Sequence, residues 1–177
     1  MEQIDQKEFT NTAMKYGTYL GIVWTMMYVM LFNSLSTPIL SLGAMGIIIY
    51  APILSGILAI KFREAKCENT MSYSQAWKFL AIMHMCAALF SAMTNYLYLH
   101  FIDKGHFLAS INASLSELAE TATDPAVKEL MVSTLEVYSN YTAIDLTWAF
   151  LNNNIFVYLI LTSIIALSVK KKNYKRL

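Results

Sequence analysis

Charged residues are scarce in this chain, and the scarcity is uneven. They make up 14% of its 177 residues, against about 25% in an ordinary soluble domain. Stretches of about twenty residues with almost no charge alternate with polar ones, which is typical of an integral membrane protein. The formal net charge is only +1. Because the chain lacks the basicity of nucleic-acid-binding proteins, no nucleic acid is expected as a partner.

Cysteine is also rare, and enzyme motifs are missing. The two cysteines, Cys67 and Cys86, do not form the spaced framework that braces small secreted domains, so a disulfide scaffold is not expected. The sequence contains no nucleophile elbow, phosphate loop, HExxH or spaced Cys/His set. Its apolar segments hold no interior carboxylates from which an intramembrane hydrolase could build a site. We therefore expect no enzymatic activity and no cofactor.

The chain does have four long apolar segments, each near the 20 residues that a helix needs to cross the hydrocarbon core. They are residues 16–33, 39–60, 77–101 and 147–169. We predict helices because a segment in lipid must satisfy its own backbone hydrogen bonds. The predicted fold is all-α: an integral membrane four-helix bundle that forms a single domain over residues 1–177. Pro52 lies inside the second span and is expected to kink it.

Lysine and arginine predict how the chain is threaded through the membrane. If both termini are cytoplasmic, only Lys104 and Lys128 of the thirteen basic residues lie on the outer side. The prediction is therefore a multi-pass protein with both termini inside and one long loop, residues 103–146, outside.

Within that outer loop the pattern predicts an amphipathic helical hairpin over residues 106–141. Apolar residues recur at helical spacing in two stripes, one of Leu108, Ile111, Leu115, Leu118 and Ala122 and one of Val127, Leu130, Met131, Thr134 and Tyr138. Between them, Asp124-Pro125 reads as an N-cap and a first helical position. The hairpin is acidic, so anionic lipid headgroups would repel it. It either caps the bundle or binds a partner.

The run Met83-His84-Met85-Cys86 places four possible metal ligands side by side. Consecutive helical residues point about 100° apart, so the four side chains spread around the helix, and we predict no metal or haem site. His84 is still a candidate functional residue, because ionisable groups inside spans often are. The alternative is a neutral imidazole that is hydrogen-bonded to a neighbouring helix.

Asn152, Asn153 and Asn154 interrupt the fourth span. Three successive amides cover some 200° of a helix, so at least one should face protein. They either pack helices together, with one asparagine facing the third span near Tyr96, or line a wet cavity. With His84 they form the candidate polar site inside the membrane. Small residues at the spacing of close helix packing are Gly17, Gly21, Ala51, Ser55, Ala59, Ala88 and Ala92.

Three stretches, KYGTYLGIVW, SYSQAWKFLAI and NYLYLHFID, resemble a family of short four-span membrane proteins of unknown function found mainly in Bacteroidota. The resemblance covers nearly the whole chain and implies a bacterial inner (cytoplasmic) membrane. It supplies no catalytic residues that could be carried over.

Two functional hypotheses follow from these observations. The leading one is a non-enzymatic accessory protein, embedded in the lipid bilayer, that binds a protein partner or a second copy. The outer hairpin or the small-residue helix faces would form the contact. The alternative is a small transporter or channel subunit with a polar lining from His84 and the three asparagines.

Overall fold

A computed structural model of the protein describes residues 6–171 and places most of them in helices. In chain order these are α1 (Gln6–Asn33), α2 (Ile39–Lys66), α3 (Tyr73–Leu97), a π-helical segment (Tyr98–Asp103), α4 (His106–Thr121), α5 (Pro125–Ser139) and α6 (Ala143–Val169). Within residues 6–171 there is no strand, only an isolated antiparallel bridge between Met71 and Lys171. The all-α prediction is confirmed for this part of the chain.

Three of the helices are long and apolar enough to cross a membrane. They are α2, α6, and α3 taken together with the π-helical segment, and they contain the second, third and fourth predicted spans. The first predicted span, residues 16–33, is also helical and forms most of α1. However, α1 is not one of the three apolar helices, because its tyrosines, threonines and glycines lower its mean hydropathy.

The four long helices share one apolar core. α1 lies along α3 on one side and against α2 on the other, and α6 packs mainly on α3. Residues from all four helices meet in this core, among them Leu20, Ala59, Leu80 and Ala166. The outward face of α2 is a continuous row of exposed aliphatic side chains that includes Leu42, Met45, Ile49, Ile53 and Ile57, as expected for a helix in contact with lipid.

Pro52 does not interrupt α2, which runs as one helix from Ile39 to Lys66. The Pro52 carbonyl accepts a hydrogen bond from the Ser55 hydroxyl at 2.8 Å. The kink predicted at Pro52 stays a prediction.

The helix starts follow ordinary capping chemistry. The Asp124 carboxylate accepts a hydrogen bond from the Ala126 backbone N–H at 2.9 Å, and Pro125 takes the first helical position of α5. This confirms the interpretation of Asp124-Pro125. At the start of α3, Ser72 and Gln75 form a reciprocal capping box, which fixes where that helix begins after the short α2–α3 loop.

The helices of the predicted hairpin, α4 and α5, pack against each other. The predicted stripe on α4 is wrong at one position: Leu118 is 54% exposed, and Ala119, at 7%, lies in the interface instead. Ala119 follows Ile111 and Leu115 at a spacing of four, so the buried face of α4 continues through Ala119, and Leu118 points to its side. The base of the pair is anchored by Phe107, which lies in a second apolar cluster with Phe32 at the end of α1 and Leu146 at the start of α6.

Candidate functional site

The core of the long helices holds a buried histidine. His84 is 4% exposed, and its Nδ1 lies 2.7 Å from the hydroxyl of Thr162 on α6. The hydrogen bond joins α3 to α6. If the hydroxyl donates, Nε2 carries the ring proton; if Nδ1 donates, Nε2 is an acceptor. In either case Nε2 has no partner among residues 6–171.

Two aromatic rings enclose this imidazole. The Trp24 indole is nearly parallel to it, at 10° with centroids 6.2 Å apart. The Tyr158 ring lies 5.0 Å from His84 and 4.1 Å from Trp24. The indole Nε1 is also buried without a partner among the described residues. Since buried polar groups are nearly always hydrogen-bonded, two such atoms in one cluster are unusual.

A small crevice adjoins the cluster between α3 and α6. His84, Asn154, Tyr158 and Thr162 contribute to its lining, and its volume is about 10 Å³. This is close to the smallest space that holds one water molecule. The site therefore has room for about one water molecule. It lacks room for an organic substrate.

The three asparagines occupy three different environments. Asn154 is buried, and its Oδ1 accepts a hydrogen bond from the Tyr28 hydroxyl of α1 at 2.8 Å. Asn152 is exposed and donates from Nδ2 to the Trp148 carbonyl one turn earlier, at 2.9 Å. Asn153 is exposed as well. One amide thus faces protein, but its partner belongs to α1 and not to the region of Tyr96 on α3, so that part of the prediction is wrong.

The run from Met83 to Cys86 is dispersed around α3. Met83 is fully buried, while Met85 is 42% exposed. Cys86 faces α1, where its Sγ lies 3.4 Å from the Met14 carbonyl oxygen. Across residues 6–171 no three His, Cys, Asp or Glu side chains come together as a group that could hold a metal ion.

The small residues singled out in the sequence lie mostly at helix contacts. A Cβ on Gly17 would stand 2.5 Å from the Met83 carbonyl oxygen, and one on Gly21 would stand 3.0 Å from the Phe90 side chain. The α1 backbone therefore lies directly on α3 along this face. On α2, Ala51, Ser55 and Ala59 are fully buried, and on α3 Ala88 is buried while Ala92 is half-buried.

A further polar pair on α3 was missed in the sequence. Asn95 is 1% exposed. Its Nδ2 donates to the Ser91 hydroxyl at 3.4 Å, and its Oδ1 has no partner among the described residues. His84, Ala88, Ser91 and Asn95 follow one another at spacings of four, three and four, which is one face of a helix. This spacing is visible in the sequence and could have identified Ser91 and Asn95 as part of the buried face of α3.

The helices are sealed at the end where α1 begins and where α2 and α6 finish. Phe62 and Phe79 stack at 4.3 Å, and the Phe9 ring meets both edge-on. Arg63 is buried, and its Nη1 donates to the Val169 carbonyl oxygen at the end of α6 at 2.6 Å. A guanidinium at the negative end of a helix is favourable and satisfies a carbonyl that has no helical partner.

The chain is an all-α protein in which an aromatic and polar core lies between long helices, three of them apolar enough to cross a membrane. No Asp or Glu is buried anywhere in residues 6–171, so the cluster has no carboxylate that could orient His84 as a base. In the comparison with protein families, residues 15–171 match the family described as "Protein of unknown function (DUF4199)", and the chain belongs to that family. No curated protein and no solved structure matches the chain.

Proposed function

We propose that the protein is a non-enzymatic accessory protein of a bacterial inner membrane that binds a protein partner through the α4–α5 hairpin. In this proposal α1 crosses the membrane together with the three more apolar helices, as a four-helix bundle. Both termini are cytoplasmic, and the hairpin stands on the outer side.

The observation that carries the proposal is the apolar surface of the hairpin. α5 has no buried residue along its whole length. Val127, Leu130 and Val137 are 42%, 59% and 52% exposed, and Leu118 on α4 is 54% exposed. Beyond its base the hairpin contacts little of the other helices. Apolar side chains grouped on an element outside the apolar spans are typical of a protein-binding surface.

The charge of the hairpin argues against the bilayer as its binding surface. Residues 106–141 contain five acidic residues and one basic residue, Lys128. Helices that lie on a membrane usually carry lysine and arginine on their polar face, because the headgroups are anionic. A protein surface with basic residues around an apolar centre is the better match.

The case for α1 as a fourth span rests on its position beside α3. Residues 16–33 contain no charged residue, and α1 packs along α3 over its length. An uncharged helical segment held against a membrane-spanning neighbour shares its environment. Its more polar residues are tolerated because they face protein, as the Tyr28–Asn154 hydrogen bond illustrates.

The threading is tested with single cysteines in a chain whose two native cysteines are replaced by serine. Glu68 in the α2–α3 loop is exposed, so Glu68→Cys replaces buried Cys67 as the inner reporter, and Ser116→Cys reports on α4. An impermeant thiol reagent on spheroplasts should label only the Ser116→Cys chain. Labelling of Glu68→Cys in sealed cells would contradict the proposed orientation.

Partner binding is tested by purification in mild detergent and mass spectrometry of the proteins that co-purify. Leu130→Gln should release a stoichiometric partner without changing the melting temperature, because Leu130 is 59% exposed. The matched control is Ser133→Gln on the same helix, which is also exposed and should retain the partner. The proposal fails if the wild-type protein has no partner, or if Leu130→Gln keeps it.

One observation favours a second candidate, a small transporter subunit. The core contains buried polar atoms on Trp24, His84 and Asn95 that have no hydrogen-bond partner within residues 6–171, as expected where a small polar species is held in passage. The sealed inner end opposes a continuous path. In proteoliposomes we expect no ion or solute flux above protein-free liposomes. Flux that His84→Ala abolishes would replace the accessory role with this one.

A further inference from the structure

Two of the asparagines of α6 face outward from the helices at the depth of the hydrocarbon. Asn152 and Asn153 are exposed, and α6 is one of the three helices apolar enough to cross a membrane. They follow the start of the predicted fourth span by five and six residues. At about 1.5 Å per residue this places them roughly 8–9 Å below its outer end. A short amide side chain does not reach back to the headgroups from there.

The hydrogen bonding of these two amides is incomplete. Asn152 donates one N–H to the Trp148 carbonyl, and its Oδ1 accepts no hydrogen bond from the part of the chain that the structure describes. The side chain of Asn153 makes no hydrogen bond at all within residues 6–171. Lipid offers neither donors nor acceptors, so an amide exposed to it is strongly unfavourable. The exposed side chains of residues 39–57 on α2 are apolar apart from the Tyr50 hydroxyl, and none is an amide, which shows what lipid contact alone requires.

The residues around the two asparagines complete a helix face. Ala149 and Phe156 lie three or four positions away on either side, Ile160 lies one turn further, and all three are exposed. Residues at these spacings are neighbours on a helix surface. The face therefore has a small residue and two amides in its outer half and apolar side chains below, which is the composition of a packed interface between membrane helices.

We propose that this face of α6 binds α6 of a second copy of the chain. Copies of one membrane protein insert in the same direction, so a twofold axis along the membrane normal sets the two α6 helices side by side and parallel. Each residue near that axis then meets its own counterpart. An amide carries a donor and an acceptor, so its partial charges are complementary to those of an identical amide. Asn153 pairs with Asn153, and Ala149 lets the backbones approach.

This inference does not depend on the hairpin or on the accessory role. It needs only α6 in the membrane. It also explains why the sequence retains two outward amides beside Asn154, whose hydrogen bond to Tyr28 lies within one chain.

The test is cysteine cross-linking in native membranes, in a chain without Cys67 and Cys86. Phe156→Cys is the reporter on the proposed face. Ile49→Cys on α2 is the control at similar depth, since it is 65% exposed and lies on a face without amides. Oxidation should convert the Phe156→Cys chain to a disulfide-linked homodimer and leave the Ile49→Cys chain monomeric. Equal cross-linking of the two, or a cross-link from Phe156→Cys to a different protein, would overturn the proposal.

Energy transfer between labelled copies in lipid measures the contribution of the amide. Asn153→Leu should weaken dimerisation by about 3-fold to 30-fold, the range for one interhelical hydrogen bond. The melting temperature in detergent should not fall, because the side chain has no partner within its own chain. Ile49→Leu is the matched control and should leave dimerisation unchanged. Dimerisation of Asn153→Leu at wild-type strength, or a monomeric wild type, would refute the pairing.

Discussion

Replacing Gly17 by alanine is the most direct test of how α1 is held in this fold. The new Cβ would lie 2.5 Å from the Met83 carbonyl oxygen and 2.7 Å from the Cys86 Cβ. Carbon atoms in proteins pack at about 3.5–4.0 Å, so the two helices must separate by about 1 Å. Overpacking of this kind costs about 1–3 kcal/mol. Alanine recovers up to about 1 kcal/mol through its better helix propensity.

The matched control is Gly46→Ala in α2. A Cβ at Gly46 meets no atom within 4 Å, so this variant has the propensity gain without the clash. Melting in detergent, followed by tryptophan fluorescence, should show Gly17→Ala below Gly46→Ala by the overpacking cost. For a chain of this size the difference is roughly 2–12 °C. Gly21→Ala, with contacts of 3.0 Å, should fall between them. Equal melting of all three would refute the close approach of α1 and α3.

Three further predictions concern the core and the inner loop. A double-mutant cycle between Tyr28→Phe and Asn154→Leu should give a coupling of about 0.6–2 kcal/mol in melting or refolding experiments, and no coupling would contradict their hydrogen bond. Burial raises the pKa of the Cys67 thiol, which nearby Arg63 only partly offsets. The rate at which a thiol reagent labels Cys67 in permeabilised cells should therefore keep rising at a pH where the rate for an exposed cysteine has reached its plateau. The same raised pKa contributes folding stability that is present below the pKa of a free thiol and is lost as the pH rises through the pKa of Cys67 in the folded protein. Elemental analysis of purified protein should find no stoichiometric copper, zinc or iron, and about one metal per chain, lost in His84→Ala, would contradict the dispersed geometry.

Hydropathy and local spacing were enough to locate the helices of this protein. The second, third and fourth predicted spans lie within α2, α3 with the π-helical segment, and α6. The two helices of the hairpin could be predicted equally well, because Asp124-Pro125 marks the start of α5 through a capping interaction that involves only a few adjacent residues. Features that depend on neighbouring residues can be predicted from a single sequence.

Contacts between distant residues could not be predicted in this way. Tyr28 and Asn154 are 126 positions apart, and local spacing shows which face of α6 each asparagine occupies but not which helix it meets. The same limit applies to Arg63. It lies in an ordinary basic cluster in the sequence, yet its guanidinium donates to the Val169 carbonyl oxygen at the C-terminal end of α6. In both cases the partner is chosen by the packing order of the helices, which no local pattern encodes.

The three asparagines show why residue type alone does not assign a role inside a membrane. All three carry the same amide, and each meets a different hydrogen-bonding environment within one turn of α6. Asn154 and Asn152 each make one side-chain hydrogen bond, Asn154 with Tyr28 of another helix and Asn152 with the Trp148 carbonyl of its own helix. The side chain of Asn153 makes none among residues 6–171. Since lipid provides no hydrogen bonds, an exposed amide without a bond of its own is the one that needs a partner from another chain, which is why the proposed dimer contact is centred on Asn153.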